Sequence, residues 1–455
     1  MHYWHGNAKT GRTVGVFALS RSHCHLELNE HIEVRRSAPG GGAVMEMRVF
    51  GRTGMRLSVL GFGCGAVGGL MVRGDPRDQE RTIARAIDAG VNYFDTAVQY
   101  GDGESEKNLG AVLQKLKPAS VMVGTKVRLR SEDFGRISNA VTKSLEGSLS
   151  RLRLERVDIF HLHNGITVVG GGEALSVRQV LDEVVPTLER VRGQGKTRFL
   201  GLTAIGDTRA LSQVIDPGVF DSAQVVYNML NPSAAVELPP NYPAQDYGRL
   251  FNLTKAAGVG VIGIRVLAGG ALSGSTERHP IASPPPEPIG SAMSYEADVA
   301  RARRFVSLVR EGFASSLSEA ATRFALSHPA MGTILVGMAT LQQFQDALAA
   351  VQKGPLAAAA LDRLTVLQQG FVGESHCGGY CTPAIISESG RAILAAIIGW
   401  SSLDRADHPD FPPKVDAGGK FLAARGHDFT AHAPRPRLLG VKNNLVALNS
   451  RLLWR

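Results

Sequence analysis

VNYFDTAVQYGDGESEKNLGAVLQKL, residues 91–116, holds one complete unit of the fold. VNYFDT (91–96) is short, apolar and rich in β-branched and aromatic residues, as a strand covered on both faces is. The chain then breaks into polar residues and glycines. Ser105 stands as an N-cap ahead of Leu109, Val112, Leu113 and Leu116, whose spacing marks one face of a helix. The same succession recurs in both directions. Strand-like runs are RLSVLGFG (56–63), SVMVGTKV (120–127), VDIFHLHN (157–164), TRFLGLTA (197–204), SAQVVYN (222–228), VGVIGIRV (259–266) and GTILVGM (332–338). Helical signals fall between them. Asp75 and Pro76 read as N-cap and first residue of a helix that carries Ile83, Ala86 and Ile87 and stops at Gly90. Ile137, Val141 and Leu145 mark another, and Val180, Leu181, Val184, Val185 and Leu188 a third. Eight alternating units predict parallel strands joined by right-handed crossovers, closed as a (β/α)8 barrel, with FGRTGMRL forming a β-hairpin before the first strand.

This TIM-type α/β barrel is expected over residues 45–372. The extensions 1–44 and 373–455 show no sustained periodicity and are expected to be poorly structured and to add little to the fold. A length of 455 residues, 44% of them hydrophobic, suffices for so large a core. The net charge of +9 is not gathered into a basic run, which argues against a nucleic-acid partner. Four cysteines, Cys24, Cys64, Cys377 and Cys381, are too few and scattered for a disulfide scaffold and suggest a reducing, cytoplasmic setting. Cys377 and Cys381 beside His376 lack a second ligand pair, so no metal is expected. The apolar run Ile393 to Trp400 falls far short of the ~20 residues a membrane helix needs, and VGVFAL near the start is short for a secretory segment.

GCGAVG (63–68) fits the dinucleotide-binding pattern G-x-G-x-x-G. That turn requires a helix to begin at the glycines, with its N-terminus on the pyrophosphate. Here the next helix signal is Asp75-Pro76, several residues later, and the match is read as coincidence.

In such a barrel the chemistry lies on the loops after the strands. Four polar residues stand there: Asp95 and Tyr100 after the second run, Lys126 ending the third and His163 ending the fourth. Singly, each has an ordinary explanation as turn former, packed ring, surface cation or core histidine. On three consecutive strands they form a set. A phenol with a pKa near ~10 is a poor acid at neutral pH, and a neighbouring ammonium favours the phenolate. Lys126 supplies that ammonium, and Asp95 keeps it charged in a buried setting. His163, across the mouth, is placed to hydrogen-bond a carbonyl oxygen.

FDTAVQYG with SEKNLG, VGTK, VDIFHLH, GKTRFLGLT, QVVYN and LAGGALSG resemble, in this order and spacing, the aldo-keto reductase superfamily over residues 47–350. The resemblance implies that Tyr100 is the general acid/base, Asp95 and Lys126 its supporting pair and His163 the substrate-orienting residue. It implies hydride transfer between a nicotinamide C4 and the carbon of an aldehyde, ketone or sugar. It also implies a cofactor site: Gly63, Cys64, Gly65 and Asp95 at the nicotinamide half, and Thr203 in place of a family serine with Gln224 at the carboxamide. Leu267, Gly269 and Gly270 would lie at the pyrophosphate, and Gly337, Thr340 and Gln343 around the adenosine. Ala204 replaces a family asparagine and Ile264 a frequent aromatic ring. Arg265, where serine is common, either reaches a cofactor phosphate or pairs with a carboxylate near the mouth. NADP(H) is the usual family cofactor, but no Lys or Arg follows strand eight to meet a 2′-phosphate, so NAD(H) stays open.

Some relatives, such as the β subunits of potassium channels, act chiefly as cofactor-binding regulatory partners; the complete tetrad favours an enzyme here. TVVGGGEALS (167–176) and the proline-rich HPIASPPPEPIGSAMSYEAD (279–298) are expected over the mouth, the second as a lid or as a solvated connection.

Overall fold

The computed structural model describes residues 44–374. Apart from Val44, Gly373 and Glu374, the readings of both extensions fall outside these residues, including those on Cys24, His376, Cys377, Cys381 and the apolar run from Ile393. No helix among the described residues is long and apolar enough to cross a membrane.

Eight strands close a barrel: β1 (Leu60–Gly63), β2 (Tyr93–Asp95), β3 (Met122–Val127), β4 (Val157–Leu162), β5 (Thr197–Ala204), β6 (Ser222–Val226), β7 (Gly260–Ile264) and β8 (Met331–Gly337). Each pairs in parallel with its neighbour in sequence, and β8 returns to pair with β1. Helices on the outside include α1 (Pro76–Asp88), α2 (Glu104–Leu116), α3 (Ile137–Leu152), α4 (Val185–Gly193), α5 (Thr208–Ile215) and α6 (Leu250–Ala256). They continue with α7 (Tyr295–Arg304), α8 (Leu317–Leu326), α9 (Leu341–Gln352) and α10 (Ala358–Gln369).

RLSVLGFG is two strands rather than one. Arg56–Ser58 pairs antiparallel with Met47–Val49, while β1 pairs in parallel inside the barrel. The chain changes partner at Val59, where Asn92 takes the Ser58 amide at 2.8 Å and the Ser58 hydroxyl donates to the Leu60 carbonyl at 2.7 Å, ending the hairpin ladder with side chains. The hairpin turn carries Phe50, fully buried under the barrel. A Cβ at Gly260 or at Gly332 would stand 2.6 Å from its ring, so those glycines open the space that the plug fills. Above it Met55, Leu57, Tyr93, Ile159 and Ile262 fill the barrel interior, and a larger apolar core separates barrel from helices.

α1 begins and ends as read: Asp75 accepts from the Arg77 amide at 2.8 Å and Gly90 takes φ +88°. α2 does not. Its N-cap is Gly103, at φ +91°, and Ser105 lies inside the helix. The Ser105 hydroxyl points inward, 2.9 Å from the Cys64 carbonyl and 2.8 Å from the Thr96 hydroxyl, and satisfies polar groups that β1 and β2 leave at their ends. Ahead of α4 the turn Val180–Val184 is a π-helix, because Pro186 has no amide hydrogen for the preceding turn.

Candidate active site

Residues two apart on a strand face the same way, so Tyr93 and Asp95 on β2 both enter the barrel with Gly124 and Lys126 on β3. Lys126 is fully buried and its ammonium meets three oxygens: Asp95 Oδ1 in a very short contact, the Thr96 carbonyl at 2.8 Å and Tyr100 Oη at 3.2 Å. It also lies 4.8 Å from the centre of the Tyr100 ring. Asp95 Oδ2 accepts from Gln224 Nε2 at 2.7 Å and Tyr93 Oη at 3.2 Å. Every partner of the carboxylate is a donor, so it stays an acceptor and hence ionised. His163, just beyond β4, stands edge-on to Tyr100 with ring centres 6.0 Å apart, and its Nδ1 lies 3.3 Å from Gln99 Oε1.

Burial works against the Lys126 ammonium, but Asp95 and the Tyr100 hydroxyl outweigh it and hold the lysine above its ordinary value. Asp95 itself is pushed up by burial, against the pull of Lys126. Tyr100 departs from expectation: burial raises its phenol above the ordinary value, and the opposing pull of Lys126 reduces that rise without reversing it. The phenol therefore stays protonated at neutral pH. Burial, with Lys126 and Arg128 nearby, holds His163 well below the usual imidazole range, so it is neutral.

Three contributors escaped sequence reading. Tyr93 reaches Asp95 only because Gly124 has no side chain: a Cβ there would stand 2.2 Å from the Tyr93 oxygen. The pairing was available in the spacing of YFD, which puts Tyr93 and Asp95 on one face. Gln99 braces His163. His161, two residues before His163, lies below the mouth with Nε2 3.3 Å from the Ser222 hydroxyl and is held neutral by burial, down to about 3. Its ring fits because Gly201 beside it lacks a Cβ.

Tyr100, His163 and Asp95 open into a cavity of about 850 Å³. Of the residues assigned to a cofactor, Gly63, Gly65, Thr203, Gln224, Arg265, Leu267, Gly269, Gly270, Gly337 and Gln343 also line it. Cys64 and Thr340 do not. Cys64 is buried and its thiol is pushed far up by desolvation, while Thr340 caps α9, accepting from the Gln343 amide at 3.2 Å. Thr203 Oγ1 donates to Gln224 Oε1 at 3.3 Å. The Arg265 guanidinium makes one hydrogen bond among the described residues, to the Glu287 carbonyl at 3.2 Å, and no ion pair with a carboxylate among them. Its φ of +56°, with +48° at Ala268 and glycines 269 and 270 at +70° and +111°, marks a strained turn of the kind that collects at ligand clamps.

The proline-rich segment spans the cavity rather than running free in solvent. Arg73 Nε holds the Ile281 carbonyl at 2.7 Å, the Ser283 amide donates to the Val67 carbonyl at 3.1 Å, and Arg278 bonds the carbonyls of Val67, Gly269 and Ser283. Gly69, at φ +91°, is pressed so close to Ile281 that a Cβ would meet its carbonyl oxygen at 1.9 Å. Among the described residues no three His, Cys, Asp or Glu side chains gather as a metal site.

Residues 59–368 match the model of the Aldo/keto reductase family. The chain is similar to L-galactose dehydrogenase of Arabidopsis thaliana, 32% identical over 68% of this chain and 88% of that protein. It is also similar to D-threo-aldose 1-dehydrogenase of Pseudomonas sp, 29% identical over 41% of this chain and 62% of that protein. Among solved structures, the holo form of aldo-keto reductase AKR11C1 from Bacillus halodurans superposes with a TM-score of 0.54 at 23% identity, over 73% of this chain and 99% of that one. An aldo/keto reductase from Klebsiella pneumoniae, solved with NADP and acetate, superposes with a TM-score of 0.51 at 18% identity, over 72% and 95%. At those identities the two structures speak to the fold alone.

Proposed function

The chain belongs to the aldo/keto reductase family and is an oxidoreductase, and from that premise we propose that it passes hydride between a nicotinamide dinucleotide and the alcohol or carbonyl carbon of an aldose, an aldehyde or a ketone. The observation that carries this reading is the buried ammonium of Lys126 shared between Asp95 and Tyr100 at the floor of a cavity that His163 also enters. An aldose is the first choice of substrate because a relative matched over 68% of the chain is named for L-galactose and another, matched over 41%, for D-threo-aldose.

The residues present fit a dinucleotide. The cavity has the volume of a nucleotide-sized ligand. On its wall stands the Arg265 guanidinium, which feels Asp298 at a distance but makes no direct ion pair with a carboxylate among the described residues, and so suits a pyrophosphate better than the alternative of an ion pair at the mouth. A bound nicotinamide supplies or accepts the hydride at its C4. The protein handles the proton. In reduction Tyr100 Oη gives its proton to the substrate oxygen, and Lys126 stabilises the phenolate left behind. In oxidation the same atom takes the proton of the substrate hydroxyl. Asp95 keeps Lys126 charged, Tyr93 and Gln224 hold Asp95, and the neutral ring of His163 hydrogen-bonds the substrate oxygen and sets its direction. The segment 279–298 excludes water from the cavity beneath it. The cytoplasmic setting suggested by the cysteines belongs to this same reading.

The test is steady-state turnover with L-galactose, other aldoses and a panel of aldehydes, using both dinucleotides, on the full chain and on Tyr100→Phe. Turnover that falls by about 10²–10⁴ in kcat in the variant, with unchanged dinucleotide affinity, is the expected result. Dinucleotide binding without turnover of any substrate would replace the enzyme with a binding module.

A further inference from the structure

His163 reaches the mouth from the end of β4, where its backbone amide donates to the Val127 carbonyl at 2.8 Å. Its ring lines the cavity, edge-on to Tyr100. The two ring nitrogens have one protein partner among the described residues, Gln99, whose Oε1 lies 3.3 Å from Nδ1. The other nitrogen, Nε2, has none and is the one left for a substrate oxygen. Gln99 comes from a different loop, after β2 and one residue before Tyr100. That turn is held by the backbone, the Tyr100 amide donating to the Ala97 carbonyl at 3.1 Å. The Gln99 amide makes no second hydrogen bond among the described residues. One side chain thus faces the only ring nitrogen that the protein itself can address.

A neutral imidazole carries one proton and one lone pair on nitrogen. Burial, together with Lys126, Arg128 and His161, keeps this ring neutral, so Nδ1 and Nε2 cannot both donate. Hydride transfer in either direction passes through a substrate oxygen bearing partial negative charge, which a donor stabilises and a lone pair opposes. With the Gln99 oxygen against Nδ1, the proton would sit on Nδ1 and the substrate would meet a lone pair. The two ends of a glutamine amide are nearly the same size. A half-turn of the Gln99 amide therefore brings its nitrogen to the same place, with no other hydrogen bond to break. We propose that Gln99 is a positioning residue that donates from its amide nitrogen to His163 Nδ1 and so keeps the ring proton on Nε2, toward the substrate oxygen. The kinetic consequence rests on the hydride-transfer reading above, whereas the place of the proton is a property of the protein alone.

Nitrogen-15 spectra of the full chain labelled at histidine locate that proton without reliance on turnover. The signals of His163, one of 13 histidines, are those lost in His163→Asn. The unaltered chain at neutral pH is expected to show a protonated Nε2 and a bare Nδ1. Gln99→Leu offers the ring neither donor nor acceptor. It should raise the share of the Nδ1-protonated form and lower kcat by about threefold to tenfold in both directions, with KM less affected and dinucleotide affinity unchanged. A proton on Nδ1 in the unaltered chain overturns the proposal, since Gln99 would then be accepting and His163 would face the substrate with a lone pair. A tautomer that stays the same in Gln99→Leu overturns control by Gln99, whatever happens to kcat. The spectrum of the unaltered chain decides by itself if the variant fails to fold. Should no substrate be turned over, the hydride-transfer reading fails, while the spectra still place the proton.

Discussion

Asp95→Asn keeps the shape of the side chain and removes the charge that keeps Lys126 protonated. Lys126 is fully buried, with Tyr100 Oη at 3.2 Å. Once the carboxylate is gone, only the Tyr100 oxygen and the Thr96 carbonyl oppose desolvation, and buried lysines without a counter-charge titrate as low as pH ~5–6. At neutral pH the variant then carries a neutral amine. At 3.2 Å an ammonium favours a full phenolate charge by about 5 kcal/mol for an effective dielectric of ~20. With about half of that charge developed in the transition state, the loss is about 2–3 kcal/mol, or roughly 10²-fold in kcat. The assay is reduction of an aldehyde followed from pH ~5 to ~9, with the fold checked by circular dichroism. Because the lysine is charged below its pKa, the variant should recover as the pH falls through the new Lys126 value, while the parent stays level over the same range. An equal deficit at every pH would refute the reasoning, since it would mean that Asp95 acts by position and leaves the lysine charge unaltered.

Oxidation of an alcohol substrate needs the Tyr100 phenolate, and burial raises that phenol above its ordinary value. Oxidation should therefore climb with pH up to about 10 without levelling, whereas reduction holds steady; a plateau near neutrality would assign the proton to another group. Phe50→Ala empties the space between Gly260 and Gly332 and should cost about 3–5 kcal/mol in chemical denaturation while sparing kcat well below the melting temperature. Gly124→Ala drives a methyl against the Tyr93 oxygen, and is expected to lower kcat more than it raises KM, because Asp95 loses a donor far from the substrate. Arg278→Ala removes the guanidinium bonds to the carbonyls of Val67, Gly269 and Ser283, leaving the segment 279–298 more weakly held, and should speed dinucleotide release in stopped-flow experiments.

Local pattern was enough for the barrel and for the tetrad. Strand and helix periodicity belong to each segment by itself, and the barrel then brings the C-terminal ends of its strands to one mouth, so Asp95, Tyr100 and Lys126 met in one hydrogen-bonded group with His163 beside Tyr100. Where two neighbours competed for one stretch, pattern fell short: RLSVLGFG divides at Val59 because its halves serve ladders of opposite direction, and Ser105 is drawn into α2 by carbonyl and hydroxyl groups at the ends of β1 and β2.

The order and chemistry of the residues determined that a carboxylate, a phenol, an ammonium and an imidazole would gather over a closed sheet. Tertiary structure alone decided the space around them. Tyr93 reaches Asp95 through a gap at Gly124, Arg73 and Arg278 fasten the proline-rich segment by backbone carbonyls that carry no sequence signature, and Glu319 claims Lys353 from another helix. The balance at Tyr100 tips the same way. Attraction to Lys126 follows from one pair of residues, but desolvation sums over every atom that packs around the ring, and only the folded chain assembles that sum.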